Sequence, residues 1–117
     1  DRGRARGARQ ASQASGAAVT TPHERRRNLI WGREMLEELS ADTTVPPAWS
    51  TEAAGLLGQY PASSTLQECG DDGLEGLQMK HARVLAAAKD LFQRLRGSRA
   101  SSEQRRYTLL VILRHFY

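Results

Sequence analysis

Hydrophobic residues recur every three or four positions in four stretches of the chain, which is the spacing of one face of an α-helix. The stretches come in two pairs, and a short polar segment joins the helices within each pair. The pattern predicts an all-α fold, a four-helix bundle built from two helical hairpins at residues 21–61 and 72–117. Together the hairpins would form a single helical domain over residues 19–117.

The first hairpin carries the clearest signals of helix starts. Thr21 can cap the first helix, Pro22 occupies its first turn at no hydrogen-bond cost, and Glu24 can bond back to the cap backbone. Prolines at positions 46–47 begin the second helix and Pro61 ends it. The predicted inward-facing positions of this hairpin are Leu29, Gly32, Met35, Leu36, Leu39, Trp49, Ala53, Leu56, Leu57 and Tyr60.

Residues 61–73 have no hydrophobic period and are predicted to be a loop. The third helix is expected to begin near Asp72, and Ser101 with Gln104 matches the capping-box pattern at the start of the last helix. That last helix is apolar on nearly every side, so we expect something to pack on it from two directions. The predicted stripe of the third helix is Leu77, His81, Val84, Ala88, Leu91, Phe92 and Leu95.

The two hairpins also match each other in sequence at an offset of 56, which places residues 24–60 on residues 80–116 without a gap. An internal repeat and a chance similarity of two amphipathic hairpins both explain this match. The shared feature is the apolar skeleton rather than the surface. The identical pairs are Arg27/Arg83, Leu29/Leu85, Leu39/Leu95 and Leu57/Leu113.

The net charge of +4 is distributed unevenly along the chain. Residues 20–77 hold ten acidic and four basic side chains, whereas residues 78–117 hold two acidic and nine basic ones. This asymmetry can serve docking of one hairpin on the other, or binding of a polyanion by the basic hairpin. Residues 1–18 form an Arg/Gly/Ala/Ser-rich extension without apolar periodicity, and we expect it to be disordered because it cannot bury enough surface to offset the entropy of ordering.

Residues of the kinds that carry catalysis are few and scattered. The three histidines, His23, His81 and His115, lie far apart in the sequence, and Glu34 with Glu38 is more typical of a solvated helix face than of an acid/base pair. The single cysteine, Cys69, has no partner at metal-ligand spacing and fits a reducing cytoplasm. We therefore expect no enzymatic activity, no cofactor, no metal and no small-molecule substrate.

No apolar run approaches the roughly 18 residues that span a bilayer, so a membrane span is not expected. The longest run is Leu109 to Leu113.

Residues 19–61 resemble a family of small, uncharacterised bacterial proteins. Members open with Met-Thr-Thr-Pro-x-Glu-Arg, continue into a Trp-x-Arg-Glu-x-Leu-x-Glu-Leu helix and close with Leu-Leu-Arg-His-Tyr-Pro. Here Val19 stands in place of the methionine, as an alternative start codon would give, and residues 1–18 would then be upstream translation. The closing motif departs at residues 58–59, which are Gly-Gln, while Arg-His stands at the equivalent residues 114–115. The resemblance implies a helical fold and a bacterial setting but no activity.

Two function classes remain open. The first is a non-enzymatic adaptor or regulatory protein of a bacterial cytoplasm, which binds a protein partner or a second copy of itself. Its candidate contacts are Trp31, Trp49, Leu110 and Val111, although burial of both tryptophans in the core would explain them equally. The alternative is a nucleic-acid-binding protein that uses the basic second hairpin. Its candidate contacts are Arg94, Arg96, Arg99, Arg105, Arg106 and Arg114.

Overall fold

The structure is a computed structural model that describes residues 21–116; the predicted extension at residues 1–18 lies outside this range. The described part is all-α. No helix within it is both long and apolar enough to cross a membrane. Its helices are α1 (Pro22–Ala41), α2 (Pro47–Leu57), α3 (Ser63–Glu68), α4 (Leu74–Lys80), α5 (Ala82–Arg96) and α6 (Glu103–Arg114).

The six helices over residues 21–116 differ from the predicted four in two places. The segment 61–73, predicted to be a loop, contains α3, whose Leu66 is fully buried. A helix of six residues is too short to show a hydrophobic period, so burial of Leu66 against the core explains it better than local pattern does. The predicted third helix begins at Leu74 and is divided into α4 and α5 at His81, where the backbone leaves the helical region (φ −110°, ψ 21°).

The predicted capping box of α1 is confirmed, whereas the predicted capping residue of α6 is wrong by one position. Thr21 accepts a hydrogen bond from the backbone N–H of Glu24, and the Glu24 side chain accepts one from the Thr21 backbone. In α6 the capping residue is Ser102, one position later than predicted. The Ser101 hydroxyl is buried and donates to the carbonyl of Leu95 at 2.7 Å, which satisfies one of the last carbonyls of α5.

Each long helix contacts two or more others. Helix α1 packs against α2, α3 and α6, α2 also contacts α5, and α5 also contacts α4 and α6. Helix α2 ends at Leu57, before the predicted Pro61. Among the predicted core positions, Trp49, Leu56, Leu57, Leu77 and His81 are only half-buried. The buried hydrophobic core consists of Leu29, Met35, Leu36, Leu39, Val45, Ala53, Tyr60, Leu66, Leu74, Val84, Leu85, Ala88, Leu91, Phe92, Leu95, Leu109, Ile112 and Phe116.

The ends of both hairpins meet α1 at Gly32. A Cβ atom at this position would lie 2.5 Å from the Phe116 ring and 3.0 Å from the Tyr60 hydroxyl, so a larger residue would displace one of them. The Tyr60 hydroxyl donates to the Leu29 carbonyl at 2.6 Å, and burial raises the pKa of Tyr60. Phe116 also packs edge-on against Phe92, with 5.4 Å between ring centroids.

Asn28 joins α1 to the C-terminal turn of α6. Its side chain is fully buried, and its amide nitrogen donates to the carbonyls of Val111 and Ile112 at 2.9 and 3.0 Å. Both carbonyls belong to the last four residues of α6, where helix carbonyls have no regular partner inside the helix. One side chain therefore satisfies buried polar groups of the other hairpin.

Replacing Asn28 with alanine is expected to lower the free energy of unfolding by about 1–3 kcal/mol, because buried carbonyls lose their donor. Asn28→Asp should be at least as damaging at neutral pH, since a carboxylate cannot donate and repels the carbonyl oxygens. Urea unfolding followed by circular dichroism measures both effects. Gln93→Ala, at an exposed position of α5, is the control and should change stability by no more than about 0.5 kcal/mol. An Asn28→Ala protein as stable as this control would contradict the capping role.

Candidate protein-binding groove

A mainly apolar opening lies between α1 and α6, and we call it the α1–α6 groove. Its cavity volume is about 320 Å³. Trp31 and Tyr107 face it from opposite helices, and Glu34 and Glu38 supply acidic groups from α1. The opening therefore combines apolar walls with a negative rim. Its full lining is Trp31, Glu34, Met35, Glu38, Tyr107, Thr108, Val111 and Ile112.

Helix α6 leaves part of its apolar surface exposed beside the groove. Leu109 and Ile112 are buried in the core, so the apolar residues on one face of α6 are needed for folding. On the other side, Tyr107 is 68% exposed and Leu110 is 36% exposed. Leu110 and Val111 follow Tyr107 by three and four positions, so each is a neighbour of Tyr107 on the helix surface. Within the described chain, the apolar character of α6 is thus only partly used for folding.

A second, smaller recess lies on the other side of Trp31. It has a volume of about 260 Å³ and is lined by the basic side chains His23, Arg26 and Arg27 together with Ile30 and Trp31. The Arg27 guanidinium lies over the Trp31 ring, 4.7 Å from its centroid, a cation–π geometry that holds the indole in place. Trp31 therefore separates an acidic groove from a basic recess.

The structure brings two of the four sequence-predicted partner contacts together, because Trp31 and Val111 both line the groove. Leu110 does not line it; it is 36% exposed on α6, one turn from Tyr107. Trp49 does not line the groove; it is half-buried on α2, where it packs against the core.

Sequence reasoning missed the contributions of Arg27 and Glu34 to the surroundings of Trp31. The signal that could have found them is a second stripe on α1 beside the core stripe. Residues 27, 31, 34 and 38 follow one another at spacings of four, three and four, so they lie on one helix face.

Arg94, one of the predicted nucleic-acid contacts, is already paired within the protein. Its two terminal nitrogens reach the two carboxylate oxygens of Glu52 on α2, at 2.5 and 3.2 Å, and its Nε reaches Asp90 at 2.9 Å. The hydrogen bonds that Arg94 donates to Glu52 and Asp90 raise its pKa. The pair between Arg94 and Glu52 joins the basic hairpin to the acidic one. Such pairs are expected if the charge asymmetry serves docking of one hairpin on the other.

Arg105 makes a second connection between the hairpins. It lies 2.7 Å from Asp42, at the end of α1, and 3.9 Å from Glu38, with only 16% of its side chain exposed. Hydrogen bonds from Thr44, and then from Arg105, lower the pKa of Asp42 to about 2. The Asp42 carboxylate therefore holds the turn after α1 through Thr44 and pairs with Arg105 in the first turn of α6.

The remaining candidate arginines divide into one bonded side chain and three exposed ones. Arg106 donates to the backbone carbonyls of Ser101 and Ser98, in the turn between α5 and α6. Arg96, Arg99 and Arg114 are exposed. Half of the predicted nucleic-acid contacts thus hold the fold together.

His115, His81 and Cys69 belong to different elements of the fold. His115 lies 3.7 Å from Glu24, His81 marks the break between α4 and α5, and the Cys69 thiol donates to the carbonyls of Leu66 and Gly70. Residues 21–116 contain no cluster of three or more His, Cys, Asp or Glu side chains arranged to hold a metal ion.

Comparisons of the chain with family models, with curated proteins and with solved structures find no match. Arguments about function therefore depend on the groove and its charges.

The Asp42 carboxyl should make stability depend on pH in acid. Its pKa is about 2 in the folded chain against an ordinary 3.8, so its stabilising effect is present above about pH 4 and is lost as the pH falls towards 2. We expect Asp42→Asn to be less stable than the native chain at pH 7, and the gap between their unfolding midpoints to narrow from about pH 4 to pH 2. Thermal unfolding followed by circular dichroism measures the gap. A gap that stays constant or widens over this range would contradict the assignment.

Proposed function

We propose that the chain is a small, non-enzymatic helical adaptor or regulatory protein that binds another protein through the α1–α6 groove. The observation that carries this proposal is the exposed apolar face of α6, Tyr107 and Leu110, next to the half-buried Trp31. Large aromatic side chains beside a recess are typical anchors of protein interfaces. The folded core does not require Tyr107 or Leu110, because Leu109 and Ile112 already fill the core-facing side of α6.

We propose a bacterial cytoplasm as the setting. The support is the resemblance of residues 19–61 to the bacterial family, together with the single cysteine.

We also propose that the four longer helices form a four-helix bundle and that the two hairpins are an internal repeat. Contacts between α1 and α2, α2 and α5, α5 and α6, and α6 and α1 support a closed arrangement. In support of the repeat, α2 and α6 begin at Pro47 and Glu103, which are 56 positions apart. The equivalent residues Leu29 and Leu85, and likewise Tyr60 and Phe116, are buried in both hairpins.

Site-specific photo-crosslinking in cells tests the groove. We expect a photoreactive benzoylphenylalanine in place of Tyr107 to form an adduct with one protein that mass spectrometry identifies reproducibly. Met79 is the matched control position, because it is apolar and 75% exposed but lies on α4, outside the groove. Leu110→Asp, added to the Tyr107 variant, should weaken capture by about 30-fold or more, since it places a charge in an apolar interface.

The proposal fails if position 107 labels no more than position 79. It also fails if Leu110→Asp leaves the adduct unchanged.

Nucleic-acid binding is the alternative proposal, and the exposed Arg96, Arg99 and Arg114 support it. Replacing Arg96 and Arg99 with glutamine should then reduce DNA affinity and lower the slope of log affinity against log salt by about one per lost phosphate contact. Filter binding across a range of salt concentrations, with the full chain, measures this. Lys80→Gln with Arg83→Gln is the control, since it removes the same charge elsewhere on the basic hairpin. Arg105 and Arg106 are unsuitable targets because their substitution also disturbs the fold. Equal effects of the two double substitutions would contradict this alternative.

A further inference from the structure

We propose that the partner is a second copy of this chain, bound antiparallel along α1 around a twofold axis that passes between Ile30 and Trp31. This inference rests on the proposed function, because it names the occupant of the apolar surface beside Trp31. It is carried by the order of charges along the outer face of α1.

That face carries five residues at spacings of four, four, three and four: His23, Arg27, Trp31, Glu34 and Glu38. Arg27 and Trp31 are half-buried, and the other three side chains are exposed. The basic groups all precede Trp31 and the carboxylates all follow it. The face therefore has a positive half and a negative half with an indole between them.

A twofold axis at the centre of such a face makes it complementary to itself. Two antiparallel helices place residues at equal distances from the axis opposite each other. Arg27 then lies opposite the partner's Glu34, His23 opposite the partner's Glu38, and Ile30 opposite the partner's Trp31. Each of these contacts occurs twice, as in any isologous dimer.

A partner of uniform charge fits this face poorly. A basic peptide would be attracted to Glu34 and Glu38 but repelled by Arg27, and an acidic peptide would be attracted to Arg27 but repelled by the two glutamates. A second copy satisfies both halves, which is the argument for choosing it. The recesses on the two sides of Trp31 offer room for the partner's apolar side chains. Tyr107, which lines the groove and is 68% exposed, extends the apolar area of the contact.

Charge exchange at positions 27 and 34 tests the arrangement. We expect sedimentation equilibrium of the full chain, from micromolar to near-millimolar concentration, to show a reversible dimer. Arg27→Glu alone and Glu34→Arg alone should each weaken the dimer by about tenfold, because both symmetry-related contacts become repulsive. The double variant, Arg27→Glu with Glu34→Arg, should restore it.

Restoration of the dimer by the double variant would show that positions 27 and 34 pair between chains. Positions 27 and 34 are seven residues apart, about 10.5 Å along the helix axis, and therefore cannot pair within one chain. A mixture of the two single variants gives a sharper result. Each variant alone should stay mostly monomeric, whereas the mixture should form a heterodimer in which both contacts are attractive. Circular dichroism of each variant, with unchanged helix content, confirms that folding is intact.

A native chain that stays monomeric over the whole range overturns the inference, and so does a dimer that does not respond to the charge exchanges. These results are separable from failure of the proposed function. If position 107 still crosslinks to a different, identified protein, the groove binds a partner and only the second copy is excluded. If position 107 labels no more than position 79, the proposed function itself fails.

Discussion

The fold depends on the close packing around Gly32, where the absence of a side chain lets the ends of both hairpins reach α1. Tyr60 closes the first hairpin and Phe116 closes the second, and both approach the space that a Cβ atom would fill. Glycine in a helix interior costs about 1 kcal/mol relative to alanine. This cost is offset by burial of two aromatic rings and by the hydrogen bond from Tyr60 to Leu29.

Polar contacts complete the junction between the hairpins. Asn28 donates to the end of α6, Arg105 pairs with Asp42, and Arg94 pairs with Glu52. The last of these is a surface pair, so it contributes little stability and serves mainly to align the helices. The charge asymmetry along the chain therefore has an internal use, which weakens the case for a polyanion as its explanation. A basic sequence segment is a poor guide to binding when an acidic segment folds against it.

The sequence predicted the all-α class and most of the core because long amphipathic helices repeat their signal over several turns. Thr21 and Glu24 marked the start of α1 for the same local reason, since a capping box is complete within four residues. Helix α3 could not be found in this way, because Leu66 is its single buried residue and its stability comes from the contact with α1. Likewise, the role of Ser101 depends on the Leu95 carbonyl, which only the folded chain brings near.

The candidate site could be predicted only in part, for a related reason. Surplus apolar residues on α6 were evident from the sequence, but which of them stay exposed depends on how α6 packs against α1 and α5. Position alone does not separate Leu109 from Leu110, and the fold buries one while leaving the other 36% exposed. The charge order around Trp31 was present in the sequence throughout. It acquires meaning only when the inner stripe of α1 is seen to be filled by the core, which leaves the stripe through Arg27, Trp31 and Glu34 to face outward.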